Sequence, residues 1–149
     1  MIRGYFSLRS GNKRPFVTCS VEFPSTTRPR RQMVTQFLID TGADRTILAP
    51  GDAEKLPGLG IVPQRLPAGP SSTGIGGRVG RRIIDAILKL DSVAIPLALA
   101  ILATPTESVS PNIPSIMGRD ILGQFALFIE ERTNRVLLLD ASEADALAL

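Results

Sequence analysis

At 149 residues the chain has the size of one ordinary domain and can bury a core without disulfides or a structural metal. Apolar residues make up 44% and charged residues 21%, a globular balance, and 17 basic against 14 acidic side chains leave a net charge of +3. There is no histidine and a single cysteine, Cys19, which excludes Ser-His-Asp and Cys-His mechanisms, His-based metal sites, cysteine clusters and intrachain disulfides.

Along the chain, period two dominates. From Phe16 to Phe23, Val17, Cys19, Val21 and Phe23 alternate with Thr18, Ser20 and Glu22, which predicts a half-buried strand with Cys19 as a packing residue. A turn-rich stretch from Pro24 to Arg31 leads into Met33–Ile39, whose apolar end, Phe37-Leu38-Ile39, predicts a strand buried on both sides. Thr46-Ile47-Leu48 favours a short strand. Ala49–Leu56 suits a helical turn with Pro50 near its start, ended by Pro57-Gly58. Residues 67–80 are dense in Gly, Pro and Ser. A strand is predicted over Arg81–Leu90, and a second around Pro96, at an edge or bulge. Thr104–Pro114 reads as loop and Arg119–Gln124 as a short helix. Phe125–Glu130 and Arg135–Leu139 read as a hairpin across Thr133-Asn134. Ala141–Leu149 fits a frayed helix, a partner-binding strand or a disordered tail.

These elements amount to about seven short strands and at most two short helices, so the fold class expected is mostly β, a barrel or sandwich in one domain over 1–149. No internal repeat or linker is visible. No basic segment followed by an apolar one opens the chain, and the longest apolar stretch, Ala94–Ala103, is about half a bilayer span. A soluble, cytoplasmic protein with no membrane partner is expected. Fourteen of the basic residues are Arg, but only Arg28, Arg30, Arg31, Arg81 and Arg82 form short runs. These read as solvated loops and strand faces, with a polyanion site as the alternative.

One constellation carries chemistry: Phe37-Leu38-Ile39-Asp40-Thr41-Gly42-Ala43-Asp44. A carboxylate ends an apolar strand and is followed at once by Thr-Gly. Burial disfavours the charged form of such a carboxylate unless hydrogen bonds compensate. Gly42 permits a sharp turn, and the Thr41 hydroxyl and nearby backbone can hold the carboxylate oxygens. The tripeptide alone decides little, since strands commonly end in Asp and Gly.

With its surroundings, the segment resembles the retropepsin-like, or retroviral-type, aspartic proteases, as a single-domain non-viral member. Three motifs carry the resemblance in order: residues 37–44, Gly74-Ile75-Gly76-Gly77, and Ile116-Met117-Gly118-Arg119-Asp120-Ile121-Leu122. They span about residues 14–140. The resemblance implies a closed, barrel-like acid protease fold and an aspartic endopeptidase acting on peptide or protein. It needs no cofactor and no metal. Because the chain holds one Asp-Thr-Gly, it implies a homodimer with Asp40 from each subunit, the two carboxylates sharing a proton and activating a water. Thr41 would then grip its counterpart across the subunits beside Gly42. Ala43 and Asp44 would offer polar groups to substrate. Gly74, Ile75 and Gly76 would form the tip of a flap, the plain alternative being a surface hairpin. Ile116 would line a side-chain pocket with Pro114 and Leu38, and Arg119 would reach Asp44 in a buried ion pair. Two other readings stand beside this one: an inactive binding or scaffold module of the same fold, and a nucleic-acid-associated β-barrel using Arg28, Arg30 and Arg31. Residues 1–13 and 141–149 exceed the family's usual length, which leaves the dimer contact there open.

Overall fold

A computed structural model describes residues 1–9, 11–27, 31–74, 77–102 and 112–148. Two long antiparallel pairs form its frame. β3 (Asn12–Phe23) pairs with β4 (Arg31–Ile39), and β7 (Gly77–Leu90) with β8 (Val93–Ile101). The expected alternation holds in β3, where Val17, Cys19, Val21 and Phe23 are buried. β4 departs from expectation. Met33, Thr35, Phe37 and Ile39 are buried, but Leu38 is only half-buried and Gln32, Val34 and Gln36 on its face are exposed.

Between these pairs run two short strands, β5 (Ile47–Leu48) and β9 (Ser115–Met117). β9 lies parallel to β4 and antiparallel to β5, and β5 lies parallel to β8. β7 then returns to β3 through Ser20↔Lys89, Val21↔Leu88 and Glu22↔Ile87, closing a ring β3-β4-β9-β5-β8-β7. Closure leaves no free edge along that ring. Its interior is filled by Val21, Phe23, Phe37, Leu48, Leu88, Leu90, Leu99, Ile101, Met117 and Ile121, all almost or wholly inaccessible. Burial there is the main stabilising contribution, at about 1.5–3 kcal/mol for each large side chain. Pro96 sits where β8 runs beyond β5, which covers only Ala100 and Ile101, so its missing N–H interrupts no second ladder.

Several elements exceed the expected seven strands. β1 (Ile2–Arg3) and β2 (Tyr5–Arg9) lie before the first predicted strand. β2 extends the barrel sheet by pairing with residues 12–16 of β3, and β1 pairs with β11 (Arg135–Leu139). β11 forms the predicted hairpin with β10 (Ala126–Glu130), closed through Asn134 at φ 55. The Gly- and Ser-rich stretch is itself β6 (Ala68–Gly74), the other arm of a hairpin with β7. α1 (Pro50–Ala53) and α2 (Arg119–Leu122) fall within the predicted helical segments. The segment after β11 is helical, α3 (Ala141–Asp145). It is started by a capping box in which Asp140 accepts from the Glu143 N–H at 2.8 Å and Glu143 accepts from the Asp140 N–H at 3.0 Å. No helix among the described residues is long and apolar enough to cross a membrane.

Candidate active site

Asp40 follows the last residue of β4, and its backbone N–H carries the ladder one step further by donating to Met117 O of β9 at 3.1 Å. The chain then turns at once. Ala43 N–H donates to Asp40 O at 3.2 Å, and Gly42 N–H donates to the Asp40 carboxylate Oδ1 at 2.9 Å. Asp40 is half-buried, less than its apolar strand suggests, and Thr41, Gly42 and Asp44 are exposed. The first motif is therefore a tight loop with its carboxylate held by a backbone donor and its outer rim open.

The third motif docks on that loop. Arg119 N–H donates to Ala43 O at 2.8 Å, and Asp120 N–H to Asp44 O at 3.2 Å. Thr46, wholly buried, is the central polar residue. Its N–H donates to Asp120 Oδ2 at 3.0 Å, its hydroxyl donates to Asp120 Oδ1 at 2.7 Å, and the same hydroxyl accepts from Gly118 N–H at 3.1 Å. Gly118 is required by space: a Cβ there would lie 2.6 Å from the backbone of Arg45. Sequence reasoning missed the Thr46–Asp120 pairing, although Asp120 lies inside the motif that drew attention to Arg119. Arg119 does form an ion pair with Asp44, but an exposed one, with the side chains 61% and 80% accessible. The buried pair expected from sequence is corrected on this point. Among the described residues, Thr41, Gly42 and Asp44 stay exposed at the outer rim of the loop.

Register joins the loop to an apolar surface. Tyr5, Phe16, Leu38, Ile116, Ile47, Ala100 and Ile83 stand directly opposite one another on seven neighbouring strands. Directly opposed residues share a face. This row therefore crosses the outer side of the sheet, two residues from Asp40 along β4. Leu38, Ile116, Ile47 and Ile83 are half-buried, and Phe16 stacks on Tyr5 with ring centroids 6.0 Å apart. Leu38 and Ile116 thus lie side by side. Pro114 lies two residues earlier, lining a separate cleft of about 390 Å³ with Phe16, Arg14, Gln36 and Lys55. Asp40 is outside that cleft, on the open face.

The hairpin of β6 and β7 brings Gly74 opposite Gly77; Ile75 and Gly76, the predicted flap tip, lie outside the described residues. Arg28 and Arg30 also lie outside them, and Arg31 donates to Pro24 O at 3.0 Å. Among the described residues no group of three or more Cys, Asp or Glu is placed to hold a metal.

Residues 11–130 match the family model for the retroviral aspartyl protease. The chain belongs to that family. Two solved structures show the same fold. The EIAV protease complexed with the inhibitor HBY-793 is 22% identical, with a TM-score of 0.52 over 78% of this chain and 92% of that one. A retropepsin-like aspartic protease from Rickettsia conorii is 16% identical, with a TM-score of 0.59 over 93% of this chain and 91% of the other. No curated protein matches the sequence.

Proposed function

We propose that the chain is an aspartic endopeptidase, active as a homodimer, that hydrolyses peptide bonds with water activated between two Asp40 carboxylates. The observation that carries this reading is the Asp40-Thr41-Gly42 loop, with a half-buried carboxylate and exposed Thr41 and Gly42. Its carboxylate is oriented by Gly42 N–H, while its outer side has no partner within one chain among the described residues. A second copy facing this loop supplies the second carboxylate. At about 3 Å the two cannot both ionise, so the pair shares one proton.

The ionised member takes a proton from the water as it attacks the scissile carbonyl carbon. The protonated member gives its proton to the carbonyl oxygen, which yields a neutral gem-diol. That intermediate collapses as the carboxyl that took the water proton passes it to the nitrogen, the other carboxylate takes a hydroxyl proton from the diol, and the C–N bond breaks, with no covalent enzyme intermediate. Thr41 hydroxyls meet beneath the pair, and Ala43 and Asp44 present polar groups to the peptide backbone. Leu38 and Ile116 take an apolar side chain beside the scissile bond. The β6–β7 hairpin closes over the peptide.

The test is digestion of a peptide library by the full chain, with a pepstatin-type inhibitor and an Asp40→Asn control. Cleavage that both treatments abolish supports the reading. A folded, dimeric protein that binds peptides without cutting them supports an inactive binding module instead.

A further inference from the structure

The open face carries charged groups that the peptidase reading does not use. Thr46 turns inward to Asp120, whereas Arg45, two residues before Ile47, is exposed and its charge reaches Arg81 on the side of the sheet that Ile47 shares. Arg81 precedes Ile83 by two residues on β7, which puts it on that side too, with its backbone opposite Gly69 of the hairpin. Ile47 and Ile83 belong to the apolar row and are joined through Ala100. Two guanidiniums therefore flank one stretch of apolar surface. One comes from the loop that carries Asp40, the other from the hairpin arm.

Their electrostatic state is unfavourable as it stands. Arg81 is half-buried, and its Nε is shielded from water with no hydrogen-bond partner among the described residues. Burial, and after it the charge of Arg45, pushes Arg81 below the usual guanidinium range. Among the described residues neither Arg joins a salt bridge. Asp85, on the same face two residues beyond Ile83, pairs with neither. A partly desolvated cation beside a like charge costs free energy that an anion placed between them offsets. The planar guanidinium fork fits a carboxylate with paired hydrogen bonds.

Resting on the peptidase reading, we infer that Arg45 and Arg81 form a subsite for a substrate carboxylate, so that preferred peptides carry Asp or Glu within a few residues of the apolar side chain held on the row. The acidic residue contributes binding, and the apolar residue positions the scissile bond. Preference is expected to shrink as salt rises, because Arg45 is exposed.

Two degenerate peptide pools test this, alike except that one has Glu and the other Gln at fixed positions flanking a central apolar pair. The wild-type chain is expected to cut the Glu pool with KM lower by about tenfold, in line with charge-assisted hydrogen bonds. Arg45→Glu and Arg81→Glu, checked for folding by circular dichroism, are expected to reverse that preference toward pools carrying Lys. Equal cleavage of Glu and Gln pools would overturn the subsite and leave the peptidase intact. Binding of the same fluorescein-labelled pools to Asp40→Asn separates the two claims. Preferential capture of the Glu pool with no cleavage by wild type keeps the subsite and removes the peptidase. No preference in either assay overturns the subsite.

Discussion

Replacing Thr46 with Val keeps the side-chain shape and removes one hydroxyl that both donates to Asp120 and accepts from Gly118. Because Thr46 is wholly buried, water cannot substitute, and a loss of about 1–3 kcal/mol is expected from the unsatisfied groups. Urea unfolding measures it; a change below about 0.5 kcal/mol would show that this network does not hold the loop. The contrast is Arg119→Ala. That ion pair is exposed, so removing it should change the stability of the isolated subunit by less than about 1 kcal/mol in the same assay. Cys19 gives a third check. Burial pushes its thiol from 9.0 up to about 12. The folded state therefore holds the proton more tightly, and its stabilising contribution is complete below pH 9.0 and lost as pH rises toward about 12. A thiol reagent at pH 8 should label native protein only as fast as it unfolds, and immediate labelling would contradict this burial. At this scale Asp40 was legible in the sequence, because carboxylate, glycine and apolar strand are consecutive. The Thr46–Asp120 contact was not, since its partners lie 74 residues apart and nothing local marks them.

Periodicity reveals β3, whose alternation runs from Phe16 to Phe23, while β4 and β8 are marked in the sequence by apolar runs rather than by a period. β1 is two residues long and has no period; its place is set by β11, far along the chain. The Gly- and Ser-rich β6 carries no strand signal of its own, because its strand form depends on pairing with β7 rather than on propensity. The segment of α3 reads equally as helix, strand or tail, although Asp140 and Glu143 stand at capping-box spacing. Asp140→Ala should cost this helix about 1 kcal/mol. Hydrogen exchange should then rise in α3 amides while the barrel strands stay protected; unchanged α3 exchange would show that packing, not the cap, starts the helix. The turn from β9 into α2 is more demanding. Gly118→Ala drives a methyl against the Arg45 backbone, and a loss of roughly 1–3 kcal/mol or more is expected, read from the thermal midpoint. A variant as stable as the parent would mean that the loop and turn separate easily.

At the scale of the whole molecule, barrel closure through β3 and β7 fixes the strands that carry the apolar row, and the row leads to a carboxylate loop with an open rim. The barrel class was legible because the strand count, the lack of long amphipathic helices and the three motifs agree. Where the row runs was not, because register across seven strands is a property of the assembled sheet. A single Asp-Thr-Gly per chain, at 40–42, is what makes a second subunit necessary for a carboxylate pair. The most direct measurement mixes wild-type protein with Asp40→Asn protein in varied ratios and, after subunit exchange, follows hydrolysis of a peptide that the wild type cuts. If each active site needs Asp40 from both subunits, activity falls as the square of the wild-type fraction, to roughly a quarter at equal amounts with random pairing. A linear fall, with mixed dimers retaining half activity, would contradict the shared dyad, as would full activity in a proven monomer.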